Sequence, residues 1–175
     1  EYIEIFKELW CAESPKFDGQ YAQFSEVLFS PRPVQKPHPP IWIGGESKAA
    51  LRRVVRLGDG WYPASNNPTF PVHTPELLAE RLTVLHGMME EAGRDPATLD
   101  VGYFYLTLAD PKEQLDRDGK RRPMTGAASD VAADIAAFGA AGVKNMILIF
   151  QQPELNATLD RMEWFARDVR PLISA

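Results

Sequence analysis

The chain has 175 residues, enough for one domain with a core of its own. Its hydrophobic content of 45% and charged content of 25% are ordinary for a globular protein, and its net charge of −5 argues against nucleic acid as the main partner. No apolar run approaches the roughly 20 residues of a membrane-spanning helix. The single cysteine, Cys11, excludes an internal disulfide and gives no metal cluster, so we expect a cytoplasmic protein.

The first 40 residues predict a helix followed by a proline-rich loop. Ile3, Phe6 and Leu9 are spaced for one face of a helix. A short hairpin is predicted around Asp18-Gly19, and the prolines between 31 and 40 indicate a stiff, extended lead into the next element. Because the first residue is a glutamate inside a helical pattern, we expect a fragment or a processed chain.

The next stretch predicts a strand, a glycine turn and a helix. The apolar run 41–43 is typical of a buried parallel strand. Gly44-Gly45 ends it with a turn that is open to a positive φ or to close backbone approach. Ser47 is predicted to cap a helix over 48–57, and Gly58 to take the left-handed position after its last turn.

This glycine turn has two interpretations. Glycines and the free N–H groups of a helix start suit a bound phosphate, and the Ser47 hydroxyl adds a donor. Glu46 fits less well, because its carboxylate would repel a phosphate unless it points away. Alternatively, Gly44-Gly45 only makes a tight connection between strand and helix. The residue pattern alone leaves both open.

Three more strand-helix units follow the first. Strands are predicted near residues 61, 103 and 146, each followed by a helix, and the last helix is expected to bury Leu159, Met162 and Phe165. Strand-helix alternation at this spacing predicts an α/β fold with a parallel sheet and right-handed crossovers. Tyr103 and Tyr105 share one face of their strand, but the sequence does not say which face.

Several polar residues follow these strands and are candidates for ligand contacts. They are Asn66, Asn67 and His73 after the second strand, Arg121-Arg122 after the third, and Gln151-Gln152 after the fourth. Turn chemistry explains the asparagines equally well, and a solvated loop explains the charge run 109–122. The sequence does not choose between these interpretations.

Several of these segments together resemble a known family. Residues 37–47, the Ala-Leu-Arg-Arg helix start and the run 57–63 closely resemble the bacterial luciferase-like monooxygenases, which include FMN-dependent and F420-dependent enzymes. The segments 17–21, 31–37, 93–96 and 142–150 fit in the same order. The resemblance implies the C-terminal half of a (β/α)8 barrel, with residues 1–175 as one domain: a helix and loop over 1–40 and four βα units over 41–175.

The resemblance also implies a function. It implies an oxidoreductase or monooxygenase that uses F420 or FMN, with F420 favoured, on a small organic substrate. The cofactor-binding residues implied are Gly44, Gly45, Glu46, Ser47, Asp59, Gly60 and Trp61. No catalytic residue and no metal ligand is assigned, because the family's acid-base residues come largely from the first half of the barrel. The alternative is a truncated, non-catalytic flavin-binding or structural protein.

A half-barrel also implies a partner. Four parallel strands leave two open edges and an uncovered inner face, and such surfaces invite association. We therefore expect either a homo-oligomer or association with the missing N-terminal half, and neither a membrane nor a nucleic acid as partner.

Overall fold

The computed structural model describes residues 1–173, without the side chains of 107 and 108. A helix and a two-stranded hairpin come first: α1 (Tyr2–Cys11), β1 (Phe17–Asp18) and β2 (Gln23–Phe24). Four strand-helix units follow: β3 (Trp42–Gly44) with α2 (Lys48–Leu57), β4 (Gly60–Tyr62) with α3 (Pro75–Glu91), β5 (Asp100–Leu108) with α4 (Ala128–Ala140), and β6 (Asn145–Ile149) with α5 (Leu155–Trp164). Short π and 3-10 turns end the described chain at Phe165–Val169 and Arg170–Leu172.

The four later strands form one parallel sheet in the order β3-β4-β5-β6. Trp42 pairs with Gly60, Trp61 with Val101, and Phe104 with Ile147. Sequential parallel strands, each joined to the next by a helix, confirm the predicted α/β fold of four βα units. Within residues 1–173, no helix has both the length and the apolarity that crossing a bilayer requires.

The core lies between this sheet and its helices. Strand residues Trp61, Tyr103 and Tyr105 point to the helices and are buried there with Leu51 of α2 and Phe138 of α4. The structure thus decides which side the two tyrosines occupy. The rings of Tyr103 and Phe138 have centroids only 4.8 Å apart, a distance typical of a stabilising aromatic pair.

The opposite face of the sheet carries a row of aromatic side chains. The ring centroid of Tyr62 lies 5.9 Å from that of Trp42 and 6.0 Å from that of Phe104, almost parallel to the latter. Ile147 continues the row on β6 and is 47% exposed. None of these four side chains is buried, in contrast to the helix-facing residues beside them.

Glycines on neighbouring strands make room for this row. A Cβ at Gly60 would lie 2.6 Å from Nε1 of Trp42, and one at Gly102 would lie 2.8 Å from Cε3 of the same indole. Both distances are too short for any side chain, so the Trp42 ring lies flat against two glycines. The aromatic row therefore depends on small residues at these positions.

Two predictions about the helices were wrong. Gly58 has φ −91°, an extended conformation, so it does not form a left-handed cap. A Cβ there would come within 3.1 Å of the Ile43 side chain, so close packing is the reason for a glycine. On α5, Leu159 and Met162 are 51% and 49% exposed, because they share an outward face with Leu155 while α5 contacts the core through other residues.

The buried Tyr103 makes the free energy of unfolding depend on pH under alkaline conditions. Burial raises the pKa of its phenol well above the ordinary value of 10, and its hydroxyl donates to the carbonyl oxygen of Val72 at 2.5 Å. The unfolded chain therefore releases this proton near pH 10 while the folded chain keeps it. The stabilising contribution is fully present below pH 10 and is lost as the pH rises beyond it.

We expect the free energy of unfolding to fall steadily above about pH 10. In Tyr103→Phe, which starts from a lower stability because the hydrogen bond is lost, this decline is expected to be shallower. Urea unfolding at pH 8 to 11 measures both slopes. The exposed Tyr21 provides the control, since Tyr21→Phe should leave the slope unchanged. Equal slopes in Tyr103→Phe and the parent chain would contradict the assignment.

Candidate functional site

The glycine turn forms the carboxyl end of β3. Gly45 has φ +99°, a conformation that favours glycine, and a Cβ there would lie 3.1 Å from that of Ala50. Ser47 caps α2 as predicted, accepting a hydrogen bond from the Ala50 N–H at 3.2 Å. The N–H groups of Lys48 and Ala49 have no acceptor within the helix, because they belong to its first turn. The turn thus presents free N–H donors and the positive end of a helix dipole.

The Glu46 carboxylate points away from these donors. Its side chain is buried and only 4% of the residue is exposed. One carboxylate oxygen accepts from the Ala64 N–H at 2.7 Å, and the other accepts from Nδ2 of Asn67 at 2.6 Å. The negative charge that conflicted with a phosphate in the sequence is therefore taken up by the loop after β4.

The orientation of Asn67 is fixed by its own neighbours. Its Oδ1 accepts from the N–H groups of Thr69 and Phe70 at 3.0 Å and 3.1 Å, so Nδ2 is left to donate to Glu46. Arg81 of α3 donates to the carbonyl oxygen of Glu46, through Nε at 2.8 Å and also through Nη2. Glu46 thus joins the glycine turn to both the loop after β4 and α3.

The other implied cofactor residues are not all at this turn. Trp61 is fully buried on the helix side of the sheet. Its Nε1 donates to the carbonyl oxygen of Gly45 at 2.8 Å, so the indole holds the backbone of the glycine turn in place. Asp59 and Gly60 lie at the amino end of β4, at the opposite edge of the sheet. There the Asp59 carboxylate accepts from the Ile41 N–H at 2.8 Å and so links the turn before β4 to the start of β3.

Some of the remaining polar candidates make contacts within the fold, and others line a cleft. Asn67 is structural, and Arg121 is engaged with Asp134, with two nitrogen–oxygen distances of 2.8 Å and 2.7 Å. Asn66 and His73 line a cleft of about 1160 Å³ between the loop after β4 and the loop after β5. Gln152 keeps its Nε2 buried without a hydrogen-bond partner among the described residues.

The aromatic row is the feature that sequence reasoning missed. Trp42, Tyr62 and Phe104 each stand two residues from a glycine in their strand, namely Gly44, Gly60 and Gly102. This alternation of glycine with a large ring on one face is a signal that the sequence does contain. It was overlooked because the three strands are far apart in sequence, and only the register of the sheet brings their rings together.

The chain belongs to the luciferase-like monooxygenase family, because the model of that family matches residues 1–169. The fold agrees with this assignment, since four sequential parallel βα units are half of the (β/α)8 arrangement. The family that the short motifs resembled is therefore confirmed.

Two curated relatives show the range of the family. The chain is 36% identical over 67 residues to the FMNH2-dependent dimethylsulfone monooxygenase of Pseudomonas putida, which covers 38% of this chain and 18% of that protein. It is 30% identical over 122 residues to the F420-dependent glucose-6-phosphate dehydrogenase of Nakamurella multipartita, covering 69% and 32%. The chain thus spans about a third or less of the length of these two relatives.

Solved structures confirm the fold. An F420-dependent secondary alcohol dehydrogenase superimposes with a TM-score of 0.73 at 15% identity, covering 99% of this chain and 60% of that one. The F420-dependent tetrahydromethanopterin reductase of Methanopyrus kandleri gives a TM-score of 0.72 at 13% identity, covering 99% and 62%. Nearly the whole chain thus corresponds to a little over half of each of these proteins, as expected for a half-barrel.

Proposed function

We propose that the chain is the C-terminal part of a luciferase-like oxidoreductase that uses F420 or FMN on a small organic substrate, and that its glycine turn holds the cofactor phosphate. One observation carries the proposal: free N–H groups surround a turn whose only carboxylate, that of Glu46, is directed inward to Ala64 and Asn67. A tight connection alone would not require a buried carboxylate to be held in this way. The charge of the turn therefore suits an anion.

The residues present fit such a group. Gly44 and Gly45 leave the space that side chains would fill, and Ser47 can donate its hydroxyl hydrogen while its oxygen caps α2. Trp61 and Glu46 act behind the turn as positioning residues. When bound, the reduced cofactor would supply the hydride or the oxygen chemistry, while this part of the chain orients it and fixes its charge.

We propose F420 ahead of FMN. The alignment with the F420-dependent dehydrogenase covers 69% of this chain, whereas that with the FMNH2-dependent monooxygenase covers 38%. The longer alignment extends over more of the strand-helix units. The substrate is proposed only as a small organic molecule, since the two relatives act on unrelated compounds.

The test compares two glycines that both have a positive φ. Gly45 and Gly93 both have positive φ values, +99° and +71°, but Gly93 follows α3 at the amino edge of the sheet and has no neighbour within 4 Å of an added Cβ. Each glycine-to-alanine change is expected to cost about 1 kcal/mol of stability. Only Gly45→Ala should also weaken cofactor binding, by about tenfold, because its methyl group blocks the approach to the backbone.

The measurement is a fluorescence titration of each variant with F420 and with FMN. An unchanged cofactor affinity in Gly45→Ala, or an equal loss of affinity in Gly93→Ala, would contradict the assignment of the phosphate to the glycine turn. Binding without turnover, measured in the complete barrel, would favour the non-catalytic alternative. A preference of the parent chain for one cofactor decides between F420 and FMN.

We also propose that the working protein covers the apolar surfaces of this chain, either with the other half of the barrel or with a second copy. Leu155, Leu159 and Met162 form an exposed stripe on α5, and Ile147 is exposed on the edge strand β6. Apolar stripes and free strand edges of this kind favour association. Sedimentation measurements showing a monodisperse monomer with cooperative unfolding would contradict this proposal.

A further inference from the structure

The outward face of α2 carries a basic stripe. Three of its cations, Lys48, Arg52 and Arg53, are exposed, and their side chains form no hydrogen bond and no ion pair with any residue that the structure describes. The fourth, Arg56, makes a long ion pair with Glu4 of α1, at 3.9 Å. The helix itself contains no carboxylate. On a chain with a net charge of −5, this helix is a local concentration of positive charge.

The outward face of α3, which packs beside α2, carries an acidic stripe. Glu80, Glu90 and Glu91 are exposed, and within the described part of the chain their side chains have no hydrogen-bond or ion-pair partner. The surface between Glu80 and Glu90 is uncharged. Val84 is exposed there, and Gly87 has nothing within 4 Å of an added Cβ. A basic stripe and an acidic stripe thus lie side by side.

Two other charged residues of α3 are engaged within the chain and do not belong to the acidic stripe. Hydrogen bonds from its own N–H and from the side chain of Thr74 lower the pKa of Glu76, in the first turn. Arg81 donates to the carbonyl oxygen of Glu46 through Nε at 2.8 Å. The acidic stripe is therefore not balanced by a cation of its own helix.

Both stripes place charges at the unfavourable end of their helices. Lys48 lies in the first turn of α2, at the positive end of the helix dipole. Glu90 and Glu91 lie in the last turn of α3, at the negative end. Lys48 and Arg52 are also four residues apart, so they repel each other across one turn. These charges lower the stability of each helix unless opposite charges lie nearby.

The two stripes are complementary between two copies of the chain. α2 and α3 each connect neighbouring parallel strands, so they run in the same direction. A two-fold axis between them pairs α2 antiparallel with α3 of the second copy. Lys48 then faces Glu90 and Glu91 of the second copy, and Arg56 lies towards Glu80 of the second copy. The charges that are unfavourable within each helix would thus meet opposite charges.

The spacing along the two helices allows this pairing. At about 1.5 Å per residue, Lys48 and Arg56 are about 12 Å apart along α2. Glu80 and Glu90 are about 15 Å apart along α3 by the same measure. Long lysine and arginine side chains can span the difference of about 3 Å. Both ends of the basic stripe can therefore reach the acidic stripe at once.

Other pairings of the same surfaces bring like charges together. An antiparallel pair of two α3 helices would set Glu80 against Glu90 of the second copy, and a pair of two α2 helices would set arginine against arginine. The crossed pairing alone joins opposite charges, and a two-fold axis forms it twice. Both stripes point away from the sheet, so the other half of a barrel would leave them free.

We propose that two copies of this chain pair through the outward faces of α2 and α3, with the basic stripe of each copy against the acidic stripe of the other. The uncharged surface around Val84 and Gly87 lies in the middle of this interface, and the charges form its rim. The surface is separate from the exposed residues of α5 and β6. The inference does not rest on the cofactor proposal, since it uses none of the residues of the glycine turn.

The experiment uses two variants that should not pair with themselves. The acidic variant reverses the free cations of α2: Lys48→Glu/Arg52→Glu/Arg53→Glu. The basic variant reverses the carboxylates of α3: Glu80→Lys/Glu90→Lys/Glu91→Lys. Sedimentation velocity at low ionic strength compares the parent chain, each variant alone and an equimolar mixture. We expect each variant alone to associate at least about tenfold more weakly than the parent chain, and the mixture to return to within about threefold of it.

The matched control makes the same change in charge outside α2. Lys16→Glu/Arg32→Glu/Lys36→Glu reverses three exposed cations between α1 and β3, and it should associate as the parent chain does. At about 1 M salt, where the Debye length is about 3 Å, association of the parent chain should weaken. Restoration in the mixture cannot come from damage to the fold, because both variants are present in it.

Four outcomes overturn the inference. A parent chain that stays monomeric at low ionic strength does so, and so does a mixture that associates no better than its separate components. An equal loss in the control variant would assign the effect to overall charge. Association that survives both the charge reversals and about 1 M salt would belong to the apolar surfaces of α5 and β6 instead.

Discussion

Glu46→Ala is expected to lower the free energy of unfolding by about 3 kcal/mol, because it leaves two partly buried donors without their acceptor. The donors are the Ala64 N–H and Nδ2 of Asn67, which lie 2.7 Å and 2.6 Å from the carboxylate. Asn67 cannot compensate by rotating its amide, since its Oδ1 already accepts from two N–H groups. For a chain of this size, a loss of 3 kcal/mol corresponds to a fall in Tm of about 6–12 °C.

Thermal and urea unfolding measure this effect, and Glu80→Ala on the exposed side of α3 is the control. The control should change stability by less than about 0.5 kcal/mol. Glu46→Gln should fall between the parent and Glu46→Ala, because its amide oxygen satisfies one donor while its NH2 group faces the other. If Glu46→Ala were no less stable than Glu80→Ala, the carboxylate would not join the turn to the neighbouring loop as described.

Gly102→Ala is expected to cost about 2 kcal/mol by overpacking the aromatic face of the sheet. The added methyl group would lie 2.8 Å from Cε3 of Trp42 and 3.0 Å from Cδ2 of Tyr62. The rigid indole cannot bend to avoid it, and the other end of the same ring already lies against Gly60. The ring must therefore leave its position, and its tilted contact with the Tyr62 ring is disturbed.

Gly87→Ala is the matched control, since Gly87 lies within α3 and nothing is within 4 Å of an added Cβ. That change should raise stability by up to about 1 kcal/mol, because alanine favours a helix. A Trp42→Ala background should relieve most of the cost at Gly102, giving a coupling energy of at least about 1 kcal/mol between the two positions. Additive effects would show that the indole does not rest on Gly102.

Much of the fold was predictable because its signals are local. The cap at Ser47, the glycine turn before it and the apolar strands around 42, 103 and 147 each depend on residues close in sequence. The burial predicted for Leu159 and Met162 was wrong because it relied on local signals alone. Apolar spacing shows that Leu159 and Met162 share a face, but whether that face is covered depends on parts of the molecule that spacing does not describe.

By itself, the sequence determined the family, the order of the strand-helix units and the place of the turn that we propose for a phosphate. Only the tertiary structure decided where the Glu46 carboxylate points, that Asp59 lies at the edge away from the turn, and that Asn66 and His73 line a cleft beside the loop after β5. Glu46 and Asn67 are 21 residues apart. Contacts over such separations follow from the register of the sheet and the packing of its loops, for which no short stretch of sequence carries a signal.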